Sequence, residues 1–369
     1  MESFLGCYNE KNYADREETL KKVEMVCLEV VLSIARGEFP KLRFCNRASW
    51  DNVSFSENGA VNLPEVKKMV QIRLDSKRSI KTFAFMMKVL SIIYRLLQEN
   101  KYCTKRDIYY QYPGLFGSQS VVDNLIDNIA CMLEVPRWKL HVLATCKGLV
   151  AGNLQFYDEY GHHIDCNKTK MGVQIPAHEK DMLYMHSGAR FVLIVEKDAT
   201  FQKLLTDNLC ENFFAKIIII TGKGFPDIGT RLLVHKLWET FHLPTFALMD
   251  ADPHGIAIML VYKYGSKAQA FENHHLAVPA IKWLGILPTD IPRLAIEENT
   301  IIQQTEEDLQ NLLGMLNRPY ILINRKISEQ IETMIQRGVK AELQCLDSIH
   351  PSYLTNIYLP GKIQSQDWI

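Results

Sequence analysis

In some stretches of the chain apolar positions recur every three or four residues; in others they run unbroken, and this contrast predicts the elements. Over 15–36, Leu20, Val23, Val26, Cys27, Val30, Val31 and Ile34 form a stripe at helical spacing that ends at Gly37. Such a stripe serves either a core or a partner. Pro40, Asn46, Asn52, Asn58, Gly59 and Pro64 follow with little periodicity, so 37–64 reads as a loop-rich linker. A helix is expected from Thr82 to Asn100, with Phe83, Met86, Leu90, Ile93 and Leu97 on one side. Thr104-x-x-Asp107 has the form of a capping box for a short helix that Pro113-Gly114 breaks. Ser118 opens a third helix carrying Val122, Leu125, Ile126, Ile129 and Leu133 on one face. After Pro136, Lys139–Thr145 and Leu149–Tyr157 read as two strands joined by Cys146-Lys147-Gly148. Three helices and then a hairpin is the order of a winged helix.

From about 186 the pattern changes. Phe191–Val195, Lys216–Ile220 and Thr245–Met249 are short apolar runs separated and followed by helical stretches near 199–210, 228–241 and 254–263. This alternation predicts an α/β domain with a parallel sheet and right-handed crossovers. The tail from 300 onward reads as helix-rich. The expected organisation is therefore 1–64, an N-terminal helix and linker suited to docking a partner, then 65–185, a winged-helix module, then 186–369, the α/β domain.

Two of the apolar runs end in acids. Glu196 follows Val195, and Asp250-Ala-Asp252 follows Met249. The carboxyl ends of parallel strands are where ligands bind, so three carboxylates are expected to converge there on a divalent metal. Oxygen donors without a neighbouring Cys or His suit Mg²⁺ better than Zn²⁺. The competing reading of Asp252-Pro253 is a helix cap with Pro at the first helical position. A haloacid-type phosphatase is disfavoured, because His254 stands where a Thr is usual.

The second chemical feature is Arg106-Asp-Ile-Tyr109-Tyr110. Arg106 precedes Tyr110 by one helical turn, so the two share a face. A guanidinium there would favour a phenolate and stabilise charge on phosphorus. Tyr109 points about 100° away. The plainer alternative is that adjacent tyrosines form a packed aromatic surface. Thr221-Gly-Lys223-Gly-Phe225-Pro-Asp227 lacks P-loop spacing, which argues against ATP hydrolysis by this chain.

Composition adds little: 369 residues, 47% hydrophobic, 23% charged and no net charge, as in ordinary globular proteins. No apolar run is long enough for a membrane span, and the amino terminus lacks a secretory layout. Nine scattered cysteines without a Cys-x-x-Cys pair point to a reducing compartment. Charge distribution says more than the total, for Lys67 to Arg106 holds eleven Lys or Arg against two acids and leads into the tyrosine motif. Arg137, Lys139 and Lys147 near the expected wing point the same way.

Lys105-Arg-Asp-Ile-Tyr-Tyr110, Leu193-Ile-Val-Glu-Lys197, Thr221–Asp227, Asp250-Ala-Asp-Pro-His-Gly255 and Tyr264-Gly-Ser266, in this order, resemble the A subunit of topoisomerase VI. Within that family the likeness is greatest to the eukaryotic branch that makes meiotic double-strand breaks. The resemblance implies a winged-helix (CAP-like) DNA-binding domain followed by a Toprim domain. It implies Tyr110 as nucleophile, Arg106 as its companion, and Glu196, Asp250 and Asp252 as the acids holding Mg²⁺. Lys147, Lys223 and Phe225 map to segments near DNA. The implied activity is that of a type IIB topoisomerase-like transesterase, of the isomerase class, that leaves a 5′-phosphotyrosine without using ATP itself. The implied partners are duplex DNA, a second copy of the chain, other meiotic break factors and a topoisomerase VI B-like subunit, with the nucleus and its meiotic chromosomes as the place of action. A Toprim nuclease without a covalent link and a non-catalytic DNA-binding scaffold are the alternatives.

Overall fold

The computed structural model describes residues 2–47, 50–55, 61–62, 64, 67–178, 181–207, 209, 216–294 and 296–369, with the backbone alone for 2–13 and 51. The chain divides into two compact units. The first is Met1–Ser54, Asn62–Thr145 and Lys267–Glu272; the second is Phe55–Val61, Cys146–Ser266 and Asn273–Ile369.

The first unit contains α1 (Glu2–Ala35), β1 (Lys41–Cys45), β2 (Met69–Arg73), α2 (Ile80–Glu99), α3 (Lys105–Gln111) and α4 (Gln119–Leu133). Where a linker was expected, β1 pairs antiparallel with β2, from Lys41↔Arg73 to Cys45↔Met69. Period-two alternation turns Leu42 and Phe44 inward. They join Val23, Phe83, Met86, Leu90, Ile93, Ile108, Val122, Ile126 and Ile129 in one core, so part of the expected 1–64 segment is integral to this unit. Dense turn residues had hidden a five-residue strand. On α1, Val23 is buried, while Met25, Leu28, Val31, Leu32 and Ile34 are exposed.

The expected wing hairpin does not form. Val142–Leu143 pairs in parallel with Cys103–Thr104, and Leu149–Gly152 pairs instead within the second unit. The unit boundary accordingly falls at Thr145, ahead of the 185/186 division read from the pattern. Arg137 also departs from expectation. Its guanidinium is buried and bonded to Glu272 Oε1 (2.8 and 3.1 Å) and Asp127 Oδ1 (2.9 Å), so it is a structural charge and unavailable to a phosphate. Lys139 pairs with Asp15 at 3.1 Å.

The second unit is built on β3 (Leu149–Gly152), β4 (Val173–Gln174), β5 (Phe191–Val195), α5 (Asp198–Thr206), β6 (Ile217–Thr221), α6 (Ile228–Phe241), β7 (Thr245–Leu248), α7 (Pro253–Tyr264) and β8 (Lys282–Gly285). Its six-stranded sheet has the order β4-β3-β6-β5-β7-β8. Pairs β6–β5, β5–β7 and β7–β8 are parallel, while β3 runs antiparallel to both neighbours. Every residue of β5, β6 and β7 is buried, which is why these strands read as unbroken apolar runs. The expected βα order holds within a residue or two; of the helix foreseen near 199–210, α5 covers the part to Thr206, and 208 and 210 lie outside the described residues. The tail carries α8 (Glu306–Leu316) and α9 (Arg325–Arg337). Among the described residues no helix is long and apolar enough to cross a membrane.

Candidate active site

In the second unit, β5 and β7 are direct neighbours paired through Val195↔Leu248, so their exits lie side by side. Glu196 leaves β5 there, and its Oε2 accepts a hydrogen bond from Asp250 N at 3.0 Å. Asp250 is 1% exposed; its Oδ1 accepts from Leu343 N at 2.8 Å, and Lys197 Nζ forms an ion pair with Oδ2 at 2.8 Å. Asp252 is the cap residue of α7, and its Oδ1 accepts from Gly255 N at 2.6 Å. The capping reading of Asp252-Pro253 is thus correct, and it leaves Oδ2 free of that duty. Gly255 has to be small, because a Cβ would stand 2.4 Å from Asp250 O and 2.9 Å from Glu196 Oε2.

Crowding of carboxylates is visible in their acidities. Burial first, and then the charges of Asp250 and Asp252, push the Glu196 carboxyl up to about 8. Burial also raises Asp250, against the opposing pull of the Lys197 ammonium and the Leu343 amide. A carboxyl whose acidity is weakened in the fold costs stability as pH rises from its ordinary value to its folded one.

The loop after β6 closes over Glu196. Gly224 N donates to Glu196 O at 2.9 Å, and Thr221 Oγ1 donates to the same oxygen at 3.3 Å. Lys223 holds a left-handed backbone (φ 53°), unusual for a residue with a Cβ. Lys147 Nζ donates to Lys223 O at 3.1 Å, and Lys223 Nζ pairs with Asp198 at 3.2 Å. Lys147, Lys223 and Phe225 are all exposed, and the hydrogen bond between Lys147 and Lys223 O sets those two beside each other.

In the first unit, α3 begins with the expected capping box: Asp107 N donates to Thr104 Oγ1 (3.2 Å) and Thr104 N to Asp107 Oδ2 (2.8 Å). Ile108 anchors the helix in the core. Tyr110 is 68% exposed, whereas Tyr109 is half-buried, and their rings lie 5.4 Å apart. Arg106 is exposed on the same helix, and among the described residues no hydrogen bond joins it to Tyr110.

Two family models match the chain. One, "Type IIB DNA topoisomerase", covers 81–142, and the other, the Toprim domain of Spo11 and the topoisomerase 6 A subunit, covers 191–363. The human "Meiotic recombination protein SPO11" is 46% identical over 356 residues, covering 96% of this chain and 90% of its own length. This chain belongs to the topoisomerase VI A-subunit/Spo11 family. Two further relatives are the A subunit of DNA topoisomerase 6 from Arabidopsis thaliana, 35% identical over 94% of this chain and 81% of its own, and "Meiotic recombination protein W68" of Drosophila melanogaster, 29% identical over 94% and 98%. Tyr110 falls inside the topoisomerase match and Glu196, Asp250 and Asp252 inside the Toprim match; Lys147 lies between the two.

A Toprim site implies a divalent cation. The donor chemistry suits one: hard carboxylate oxygens at two adjoining strand ends beside a glycine that leaves them room. Yet among the described residues no three His, Cys, Asp or Glu side chains are gathered as a metal-ion cluster. Asp250 is occupied on both oxygens by the chain's own Lys197 and Leu343. Lys197, Glu342 and Leu343 are participants that the sequence pattern did not single out. Lys197 sits inside a recognised motif, but 341–343 reaches this strand end only through the tertiary fold, with backbone bonds between Ala251 and Ala341.

Proposed function

We propose that this chain is a topoisomerase-like DNA transesterase that makes meiotic double-strand breaks. The carrying observation is the pairing, in one chain, of an exposed tyrosine within the type IIB topoisomerase match and three acids at adjoining strand ends within the Toprim match. The three helices α2–α4 support a winged-helix-type DNA-binding module, although its expected wing is not formed by 139–157.

In this reading the Tyr110 oxygen attacks a backbone phosphorus. An O–P bond to tyrosine forms, the bond from phosphorus to the 3′ oxygen breaks, the phenol gives up its proton and the departing 3′ oxygen takes one. The product is a 5′-phosphotyrosine and a free 3′ hydroxyl. Exposure lets the phenol meet a duplex, and Arg106, one turn earlier, stabilises negative charge on the phosphate. Lys147 and Lys223 supply positive charge to the DNA backbone, with Phe225 against a groove or base. Mg²⁺, held by Glu196, Asp250 and Asp252, would neutralise phosphate charge and stabilise the leaving oxygen. The phosphodiester energy is kept in the tyrosyl link, so the chain needs no ATP of its own.

Each strand requires one tyrosine, so a double-strand break requires two copies. As partner we further assign a B-like subunit, docked on the outward apolar face of α1, with other break factors acting alongside in the nucleus. The test is to denature the assembled complex after incubation with duplex DNA and Mg²⁺, digest it, and map the DNA-bearing peptide. A peptide modified at Tyr110 is the expected result. Broken DNA with protein-free 5′ ends would establish the nuclease alternative, and intact DNA from a complete complex the scaffold.

A further inference from the structure

The acidic strand end contains a cation of its own. Lys197 Nζ lies 2.8 Å from Asp250 Oδ2 and 3.0 Å from Glu342 Oε1, bridging a buried carboxylate and a half-exposed one. Glu342 is held there by its neighbours. Ala251 and Ala341 exchange both backbone hydrogen bonds, at 2.9 and 3.1 Å, and Leu343 N donates to Asp250 Oδ1. The segment 341–343 is therefore a strap across the Asp-x-Asp turn. Its backbone fixes one oxygen of Asp250, and its side chain faces the ammonium that occupies the other.

The three acids are consequently unequal. Glu196 uses Oε2 on the Asp250 amide and Asp252 uses Oδ1 on the Gly255 amide, and among the described residues neither forms an ion pair. Asp250 has Oδ1 in a hydrogen bond and Oδ2 against the Lys197 ammonium in an ion pair without hydrogen-bond alignment, and it is the most deeply buried of the three, so it cannot turn toward solvent for relief. A divalent ion approaching Oδ2 would meet an ammonium already in contact, and two cations repel strongly in a partly desolvated site. The lysine can yield where the aspartate cannot. Its side chain is 33% exposed on a flexible stem, and its second partner, Glu342, is 48% exposed.

We infer that Lys197 is a resident counter-ion that holds Asp250 in place of a divalent cation, and that Glu342 retains the ammonium when a cation displaces it. Cation binding at this site is then an exchange. Lys197 keeps the buried aspartate neutralised when no metal is bound, and Glu342 keeps the released charge from returning. The inference rests on the metal role proposed for Asp250, and both residues act as positioning groups, not as catalytic ones.

The test is Mn²⁺ titration of the purified full chain, followed by electron paramagnetic resonance, with thermal unfolding recorded on each variant. Lys197→Met should bind Mn²⁺ roughly two- to fivefold more tightly, the scale of one partly exposed ion pair removed from competition, and should unfold at lower temperature without metal. Glu342→Gln should bind more weakly, because the ammonium then rests on Asp250 alone. Asp250→Asn should lose most of the affinity. Unchanged or weaker binding by Lys197→Met, with wild type binding normally, overturns the counter-ion assignment and leaves the metal role standing. If Lys197→Met proves unfolded, unchanged or tighter binding by Glu342→Gln overturns it equally. Wild type that binds no Mn²⁺ removes the metal role and this inference together.

Discussion

Tyr110 and Asp250 stand at opposite ends of exposure, 68% against 1%, and each has the environment that its proposed task requires. The tyrosine sits on a seven-residue helix tied down by a capping box and by Ile108, with its phenol left outside. The aspartate sits at the exit of a buried parallel strand, with a backbone amide and an ammonium fixed on its two oxygens. A group that must reach a large substrate gains from a light mount. Charges that repel one another must be held from several sides. The two sites therefore differ in how closely function and stability are entangled, and mutation should separate them.

The largest stability effect is expected at Gly255→Ala. A Cβ 2.4 Å from Asp250 O has backbone to displace, which should cost about 3 kcal/mol, read as a clear fall in the unfolding midpoint. A midpoint indistinguishable from wild type would mean that the acidic strand end is looser than it looks. Next comes Thr104→Ala, which removes one arm of the capping box and should cost about 1 kcal/mol. If the tyrosine helix is as lightly mounted as its contacts indicate, DNA-adduct yield should fall along with it.

Tyr110→Phe should change stability by no more than about 0.5 kcal/mol, as for other exposed sites, while abolishing covalent DNA adducts and sparing DNA binding. Adducts that survive in this variant and vanish in Tyr109→Phe would move the nucleophile to the half-buried ring. The smallest structural effect belongs to Met25, Leu28 and Leu32 changed together to Ser. These side chains face outward, so unfolding should be unaffected while capture of a B-like partner is lost. Retained capture would exclude this face. Deleting α1 would be a poorer test, since Val23 belongs to the core.

The acidic site was legible because parallel strands buried on both faces leave unbroken apolar runs, and a charge ending such a run stands out. Asp252 could be read both as ligand and as cap, and its geometry makes it at least the cap. The tyrosine pair was less legible: helical offset favoured Tyr110 through Arg106, and the family resemblance carried the choice. Three things escaped. Strand β1 lay among turn residues that masked its alternation. The 149–157 run has strand character, but local pattern cannot name a strand's partner, and β3 pairs with β6 far along the chain. Arg137 looked like a surface cation because its partner, Glu272, is remote in sequence.

That last pairing bears on how the protein can be made. The first unit ends at Thr145 only in part, for it resumes at Lys267–Glu272, and Glu272 is wholly buried against Arg137. During synthesis the amino-terminal unit must wait for its last counter-charge until most of the second unit's sheet has emerged from the ribosome. A fragment stopping at Thr145 would keep Asp127 beside the guanidinium but lose Glu272, leaving a buried charge short of half its carboxylate partners, and it should be less stable than one that includes 267–272. A recombinant version of this unit alone should therefore carry 267–272 as well.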